Sequence, residues 1–449
     1  MSDLLGIGSS GLAAYRNALT AVGENVANAE TPGYSRRKIV LKESLISGSS
    51  DIAYRDQILF NGVTTAGVER AWDQFKAAEA RYASSAAGRA DVRQQWLTGI
   101  ESAMDDGPRG VGGSLTQFFN AATSLAAEPS DRLGRGAMLT SLADVSTAFR
   151  NTADALARVA GGVAESAGLD VTAVNNALAA LQNLNGSIRA STPGGSARAA
   201  LEDQRDQLIS FVADRIDINV TTNGDGTTNI TSGGDSSISL LNGQGAGLIT
   251  LVPAADGRLS LQIFTNGTSM ALPAAGGKLA GYIDVASATA DRRAGLDALA
   301  ADFVSTVNTW SAAGVDANGN PGADLLEAPT GAASMRALVT DPDLVAAAGT
   351  DGTANGNLLA LETVRETSGI EGRWGAMVSD NAQILASARS EASAAASWRD
   401  YSRASLDGVT GVDLDYEAAE LLRYQQAYNA STRIIQVARE TIQALFDAI

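Results

Sequence analysis

The residues that could carry chemistry are few, and the two types that most often do so are missing: this chain of 449 residues contains no cysteine and no histidine. Their absence excludes disulfide frameworks, zinc sites built on Cys or His, cysteine nucleophiles and Ser/His/Asp triads. What remains is a handful of glycines and carboxylates. Gly6, Gly8 and Gly11 form a GxGxxG. A dinucleotide fingerprint needs a strand in front of it and a βαβ unit around it, and only five residues precede Gly6. Small residues at the start of an interface helix, where they allow close approach, explain these glycines better. Asp316, Asn318, Asn320, Asp324 and Glu327 fall on ligand positions of a calcium-loop template, but Pro321 stands where its sharp turn needs glycine. A solvated Asx-rich turn is the reading that fits. The carboxylate pairs Asp105/Asp106 and Asp413/Asp415 lack the apolar surroundings that would raise one pKa for acid–base work. They suit loop and helix-start positions, with Asp413 and Asp415 at the positive end of a terminal helix. No catalytic residue, cofactor site or metal site is therefore expected.

A chain of this length is expected to hold two or three domains, each with a core of its own. Hydrophobic residues make up 45% of it and its mean hydropathy is near zero, which reads as globular. No stretch approaches the roughly 20 apolar residues that span a bilayer. The opening MSDLLGIGSSG lacks the basic and apolar regions of a cleaved secretory signal, so export would take another route. The net charge of −17 repels nucleic acid and anionic membrane, and the longest basic run is Arg36, Arg37, Lys38. Neither partner is expected. The lack of cysteine suits a chain that crosses redox compartments unfolded.

Both ends carry narrow apolar stripes. Leu5, Gly8, Leu12, Tyr15, Leu19, Val22 and Val26 step by three and four, as in the seam of a helix that needs a partner. The seam ends at Thr31-Pro32-Gly33-Tyr34, where Pro-Gly fits the centre of a type II turn. At the other end Leu421, Tyr424, Tyr428, Ser431, Ile435, Ala438, Ile442, Leu445 and Ile449 repeat the spacing. The two helices are expected to pair with each other and with neighbouring molecules; the alternative is an intramolecular hairpin lying on a globular core. The assembly interface predicted from these stripes is Leu5, Leu12, Tyr15, Leu19, Val22, Val26, Leu421, Tyr424, Tyr428, Ile435, Ile442, Leu445 and Ile449. Isolated helices of this kind are marginal, so the seams are expected to order only when neighbours cover them.

Inboard, helical stripes recur: Trp72, Phe75, Tyr82, Trp96, Ile100 and Met104; Val171 to Ile188; Leu296, Leu299, Phe303, Val307 and Trp310; and approximately Trp374 to Tyr401. Between about Ile216 and Ala275 the texture turns to Gly, Asn, Thr and Ser with alternating apolar residues, Ile216, Ile218, Val220 and then Leu259, Leu261, Ile263. The expected fold is mainly α with a small β insert. It divides into a terminal α-helical coiled coil (1–34 plus 411–449), a discontinuous helical-bundle domain (35–215 plus 276–410) and an inserted β domain (216–275).

The segment Glu24 to Arg37, ENVANAETPGYSRR, resembles the N-terminal motif of the flagellar axial family of rod, hook and hook-associated proteins, and the stretch from Gly411 to Ile449 resembles that family's closing helix. Leu201 to Val220, with its DQRD, is similar to a segment of the hook–filament junction branch, as are GGKLAGYIDV at Gly276 to Val285 and the run Leu296 to Glu327, in the same order. Trp310 stands where that branch has a short polar residue, and Leu325-Leu326 replace its Leu-Phe.

The resemblance implies a structural subunit rather than an enzyme. It implies export through the flagellar type III apparatus without a cleaved signal peptide, and an extracellular location at the hook–filament junction. The partners it implies are further copies of the chain in a ring, hook protein, a second junction protein on the filament side, and an export chaperone on the C-terminal helix. Hook protein or flagellin is the alternative within the family. A wall hydrolase or an adhesin using the β insert is the alternative outside it.

Overall fold

The computed structural model describes residues 2–47 and 58–447. It is mostly helical with a few small antiparallel sheets, as the sequence predicts. The chain opens with helix α1 (Ser2–Ala27), then an antiparallel ribbon of β1 (Arg37–Ser47) and β2 (Ile58–Arg70). Helices α2 (Gln74–Ala103), α3 (Val111–Ala127), α4 (Arg132–Ala190) and α5 (Ser196–Arg215) follow. Strands β3 (Ile218–Thr222), β4 (Thr228–Ser232), β5 (Ser239–Asn242) and β6 (Gly245–Ala246) form one meander, and β7 (Leu248–Pro253), β8 (Leu259–Thr265) and β9 (Thr268–Ala271) another. The chain then returns through α6 (Gly277–Ala312), a long irregular loop, α7 (Gly356–Ser368), α8 (Ile370–Thr410) and α9 (Leu414–Asp447).

One large core runs through the helical body. Phe118, Phe149 and Phe303 meet in it, with Phe303 edge-on to Phe118 at 5.8 Å and stacked on Phe149 at 6.3 Å. The stripes of α4 and α6 are buried as read from sequence. The stripe of α2 is only partly the one expected: Ile100 and Met104 are buried and Trp96 packs against the core, but the N-terminal half differs. Its buried face is Ala77, Ala83, Ala87, Ala90, Val92, Leu97 and Ile100, while Phe75 and Tyr82 are exposed and Trp72 precedes the helix. Helices α8, α6, α5 and α4 pack around α2 and the alanines let them come close, while Phe75 is turned to solvent and Tyr82 lies edge-on to Trp398 of α8 at 5.4 Å. The two departures from the family pattern are core residues: Leu325 and Leu326 are fully buried, and the buried Trp310 donates its indole N–H to the Asn357 carbonyl at 2.7 Å.

The β insert shares this core, with Ile230, Leu240, Ile249, Leu261 and Ile263 packed in the same cluster as the helices. Two asparagines of α4 tie it down. Asn175 donates to the Ile249 carbonyl (2.8 Å) and accepts from the Ile249 N–H (2.9 Å); Asn185 does the same for Thr228 (2.9 and 3.0 Å). Each side chain thus stands in for a neighbouring strand, satisfying backbone groups that would otherwise be orphaned. The family-like GGKLAGY is a packing device. Gly277 has φ +76° and an added Cβ would lie 2.3 Å from the backbone of Arg215, while one on Gly281 would lie 2.7 Å from the Arg89 carbonyl.

Candidate functional site: the terminal helix pair and its anchor

α1 and α9 pair antiparallel, Gly8 facing Ile435 near one end and Asn25 reaching Glu417 near the other. The GxGxxG glycines explain how close they come. A Cβ on Gly8 would sit 2.6 Å from Cγ1 of Ile435, and one on Gly11 2.7 Å from Oγ of Ser431. On its other side α1 rests on the ribbon, where the Ser10 hydroxyl accepts from the Val63 N–H at 3.2 Å. A second small core forms between the three elements: Ala18, Ala21, Val22, Ile39 and Tyr424 are buried, with Tyr15, Leu19, Leu41, Val68 and Leu421 packed against them. The Tyr15 and Tyr424 rings lie 6.4 Å apart.

The structure places most of the predicted interface residues along this pair. Val22 and Tyr424 are buried; Leu5, Leu12, Tyr15, Leu19, Leu421, Tyr428, Ile435 and Ile442 are half-buried; Val26 and Leu445 are exposed. Ile449 lies outside the described residues. α9 also shows apolar residues outside the seam: Leu422 and Val437 are exposed on its other face, and Ile434 is partly exposed at the edge beside Gly8. The sequence reading missed the ribbon, although Ile39 and Leu41 alternate with Lys38 and Lys42 as a half-buried strand requires. That segment lies within 35–215 of the helical domain expected from sequence, yet its apolar side chains pack with the terminal helices.

The motif ENVANAETPGYSRR builds a connector at the base of the pair. Thr31 to Tyr34 make the expected turn, closed by the Tyr34 N–H donating to the Thr31 carbonyl at 3.1 Å with Gly33 at φ +75°. Asn25 is its hub. The side-chain oxygen accepts from the Tyr34 hydroxyl (2.8 Å) and the Arg37 N–H (2.9 Å), and the amide donates to the Arg37 carbonyl (2.9 Å) and to Oε2 of Glu417 (3.1 Å). Arg36 lies 3.6 Å from Glu417 and stacks over Tyr416.

The DQRD of α5 receives the connector. Asp203 accepts from Arg37 (3.1 Å) and Arg70 (2.9 Å), Asp206 accepts from Arg70 (2.8 Å), and Glu202 lies 3.5 Å from Arg70. Arg205 turns the other way, donating to Asp206 and to the Gly226 carbonyl at the edge of the β insert. Burial opposes the charge of Arg70, but Asp206 and Asp203 outweigh it and hold its pKa above the ordinary value. Nearby Arg81 is lowered by burial, against the pull of Asp206. Burial, opposed by Arg37, pushes the Tyr34 phenol up to about 12. The sequence marks both motifs but not their pairing, because the partners lie far apart along the chain.

The other candidates have structural partners. Asp316 accepts the N–H groups of Asn318 and Asn320, both at 2.8 Å, and Glu327 pairs with Arg336. Asp106 accepts from the Trp374 indole at 2.7 Å. Asp413 caps α9 by accepting from the N–H groups of Asp415 and Tyr416. Among the described residues no cluster of carboxylates could hold a metal ion, and no helix is long and apolar enough to cross a membrane.

Comparison with known proteins sets this helical body with paired chain ends among flagellar axial proteins. The family described as "Flagellar hook-associated protein FlgK helical domain" matches residues 97–326, and "Flagella basal body rod protein" matches residues 5–34. The chain belongs to the FlgK family of flagellar hook-associated proteins. It is 28% identical to flagellar hook-associated protein 1 of Salmonella typhimurium over 335 residues, covering 72% of this chain but only 59% of that relative. Flagellar hook-associated protein 1 of Bacillus subtilis is 24% identical, with 98% of this chain and 96% of the relative covered. In fold it is similar to the flagellar hook junction protein FlgK of Burkholderia pseudomallei, with a TM-score of 0.51, 22% identity, and 56% and 46% of the two chains covered.

Proposed function

We propose that this chain is a structural subunit joining hook to filament, exported by the flagellar type III system and assembled through its terminal helices into a ring outside the cell. The observation that carries the reading is the anchored helix pair: a thin apolar coiled coil fixed to the body by the Asn25 hub and the DQRD, and exposing Leu422, Ile434 and Val437. A monomer has no use for such a stripe; a subunit packed among copies does. Hook protein on one side and a second junction protein on the other are the partners of the assembled ring. An export chaperone covers the apolar end of α9 beforehand. The chain divides into a terminal unit, which takes in the ribbon, and a helical body with its β insert. No catalytic role is assigned.

The test is electron microscopy of cells lacking the gene, with assay of their medium for shed flagellin. Hooks without filaments and abundant secreted flagellin are expected. Intact filaments would remove the junction role, and missing hooks would move the subunit inward to the rod or hook. Limited proteolysis of the purified monomer tests whether the ends order only on assembly. Early cleavage within residues 2–27 and 414–447 is expected, and full protection there would refute delayed ordering.

A further inference from the structure

Flanking Tyr15 and Tyr424 is an open groove of about 490 Å³ between the ribbon and the α1–α9 pair. It is lined by the apolar side chains of Ile39, Val40, Leu41 and Ala427, by the rings of Tyr15 and Tyr424, and by Lys38, Glu69 and Arg423, of which Arg423 is already paired with Glu420. Lys38 makes no ion pair among the described residues. With Arg423 held by Glu420, Lys38 is the cation of the groove left without a carboxylate in contact among the described residues.

The far end of α9 has the opposite character. With Gly8 facing Ile435, the register brings Ser2 level with about residue 441, so the following turn of α9 gains no cover from α1. Leu445 and Phe446 are 54% and 68% exposed. From Glu440 to Asp447 the helix carries two acids and no base.

We propose, resting on the junction reading above, that the groove receives the end of α9 from a second copy, with Leu445 and Phe446 on its apolar side chains and Asp447 against Lys38. The copy's own α9 cannot do this. Phe446 lies 22 positions beyond Tyr424 on one continuous helix, about 33 Å along its axis at 1.5 Å per residue. A groove at one level and a knob at another, on the same rigid rod, make a heterologous contact that repeats from subunit to subunit, which is the kind that closes rings. The volume accommodates several side chains, and the charges are complementary.

The absence of cysteine makes the test direct. The chain carrying Ala427→Cys and Ala444→Cys replaces the wild type in flagellated cells, which are then oxidised, and the junctions are analysed without reductant. Dimers and a ladder of higher species are expected from the double variant, and no ladder from either single one. Filaments present with only monomeric protein would overturn the docking while leaving the junction role intact. Should the cysteine variants build no filaments, charge exchange decides instead. Lys38→Glu and Asp447→Lys should each reduce the fraction of cells with filaments, and the two together should restore it. Single variants without effect, or a pair no better than its members, would overturn the proposal.

Discussion

Asn25 and Glu417 are separated by 392 positions, yet the Asn25 amide donates to the Glu417 carboxylate at 3.1 Å in a buried site at the base of the helix pair. The contact joins the two ends of the chain where they meet the body. The same amide also holds both backbone groups of Arg37, so it fixes the direction in which the chain leaves α1 for the ribbon.

Asn25→Ala should therefore loosen the terminal unit. It leaves the Arg37 backbone groups and a buried carboxylate short of partners, at about 1–3 kcal/mol for each unsatisfied group. Hydrogen exchange on the full chain should show faster exchange in α1, β1 and α9, with the amides of α4 and α6 unchanged. Uniform acceleration across the chain would mean that the hub stabilises the whole molecule rather than its ends.

Breaking the ion cluster should cost more. Asp203 and Arg70 are both nearly buried, and removing one partner of such a pair typically costs about 3–5 kcal/mol because the other charge stays buried. Asp203→Ala should lower the midpoint of denaturant unfolding for the terminal unit. Arg70→Lys should fail to compensate, since a point charge cannot bridge Asp203 and Asp206 as the guanidinium fork does. Wild-type stability in the Lys variant would show that charge alone, not geometry, holds the joint.

Much of this was legible in sequence, for identifiable reasons. The terminal seams, the α4 and α6 stripes and the Pro32–Gly33 turn are set by local spacing and by backbone preferences that neighbours do not override. The α2 stripe held at Trp96, Ile100 and Met104 and misled at its N-terminal end, where Phe75 and Tyr82 read as core. Alanines fill the side of α2 that packs closely on its neighbours, while Phe75 is exposed and Tyr82 sits at the margin, edge-on to Trp398 of α8. The anchor was the least legible part. The motifs that hold Glu24, Arg37, Asp203 and Glu417 stand out in the sequence by resemblance, but that these residues are one another's partners emerges only when the fold places them together.

Gly277→Ala should destabilise the body rather than the ends. The position combines positive φ, costing about 1–2 kcal/mol for a side chain, with a Cβ only 2.3 Å from the Arg215 backbone, which has no flexible end to move aside. A lower melting temperature with loss of native packing around Tyr282 is the expected result, read by near-ultraviolet circular dichroism. An unchanged melt would show that the α5–α6 approach can widen freely.

In the seam itself, Ile435→Asp and Ile442→Asp each set a charge on the face of α9 that meets or overhangs α1. Both should block junction assembly in cells while the purified variants keep the helical body folded by circular dichroism. Normal filaments in either strain would contradict the seam assignment.

Asp217 gives the pH test. It follows α5 at the entry to the β insert, and burial pushes its carboxyl above the ordinary 3.8, only partly opposed by the Ile218 N–H. A group whose pKa is raised on folding contributes stability that is fully present below its unfolded value and lost as pH rises through the folded one. At neutral pH the protein therefore carries a poorly solvated charge, which Asp217→Asn removes. The variant should melt at a higher temperature than the parent at about pH 7, with the gap closing by about pH 3, where the parent's carboxyl is already protonated. A gap that is constant with pH would show that the side-chain amide acts through its hydrogen bonds, and a gap of opposite sign would show that the Asp217 charge is used by the fold.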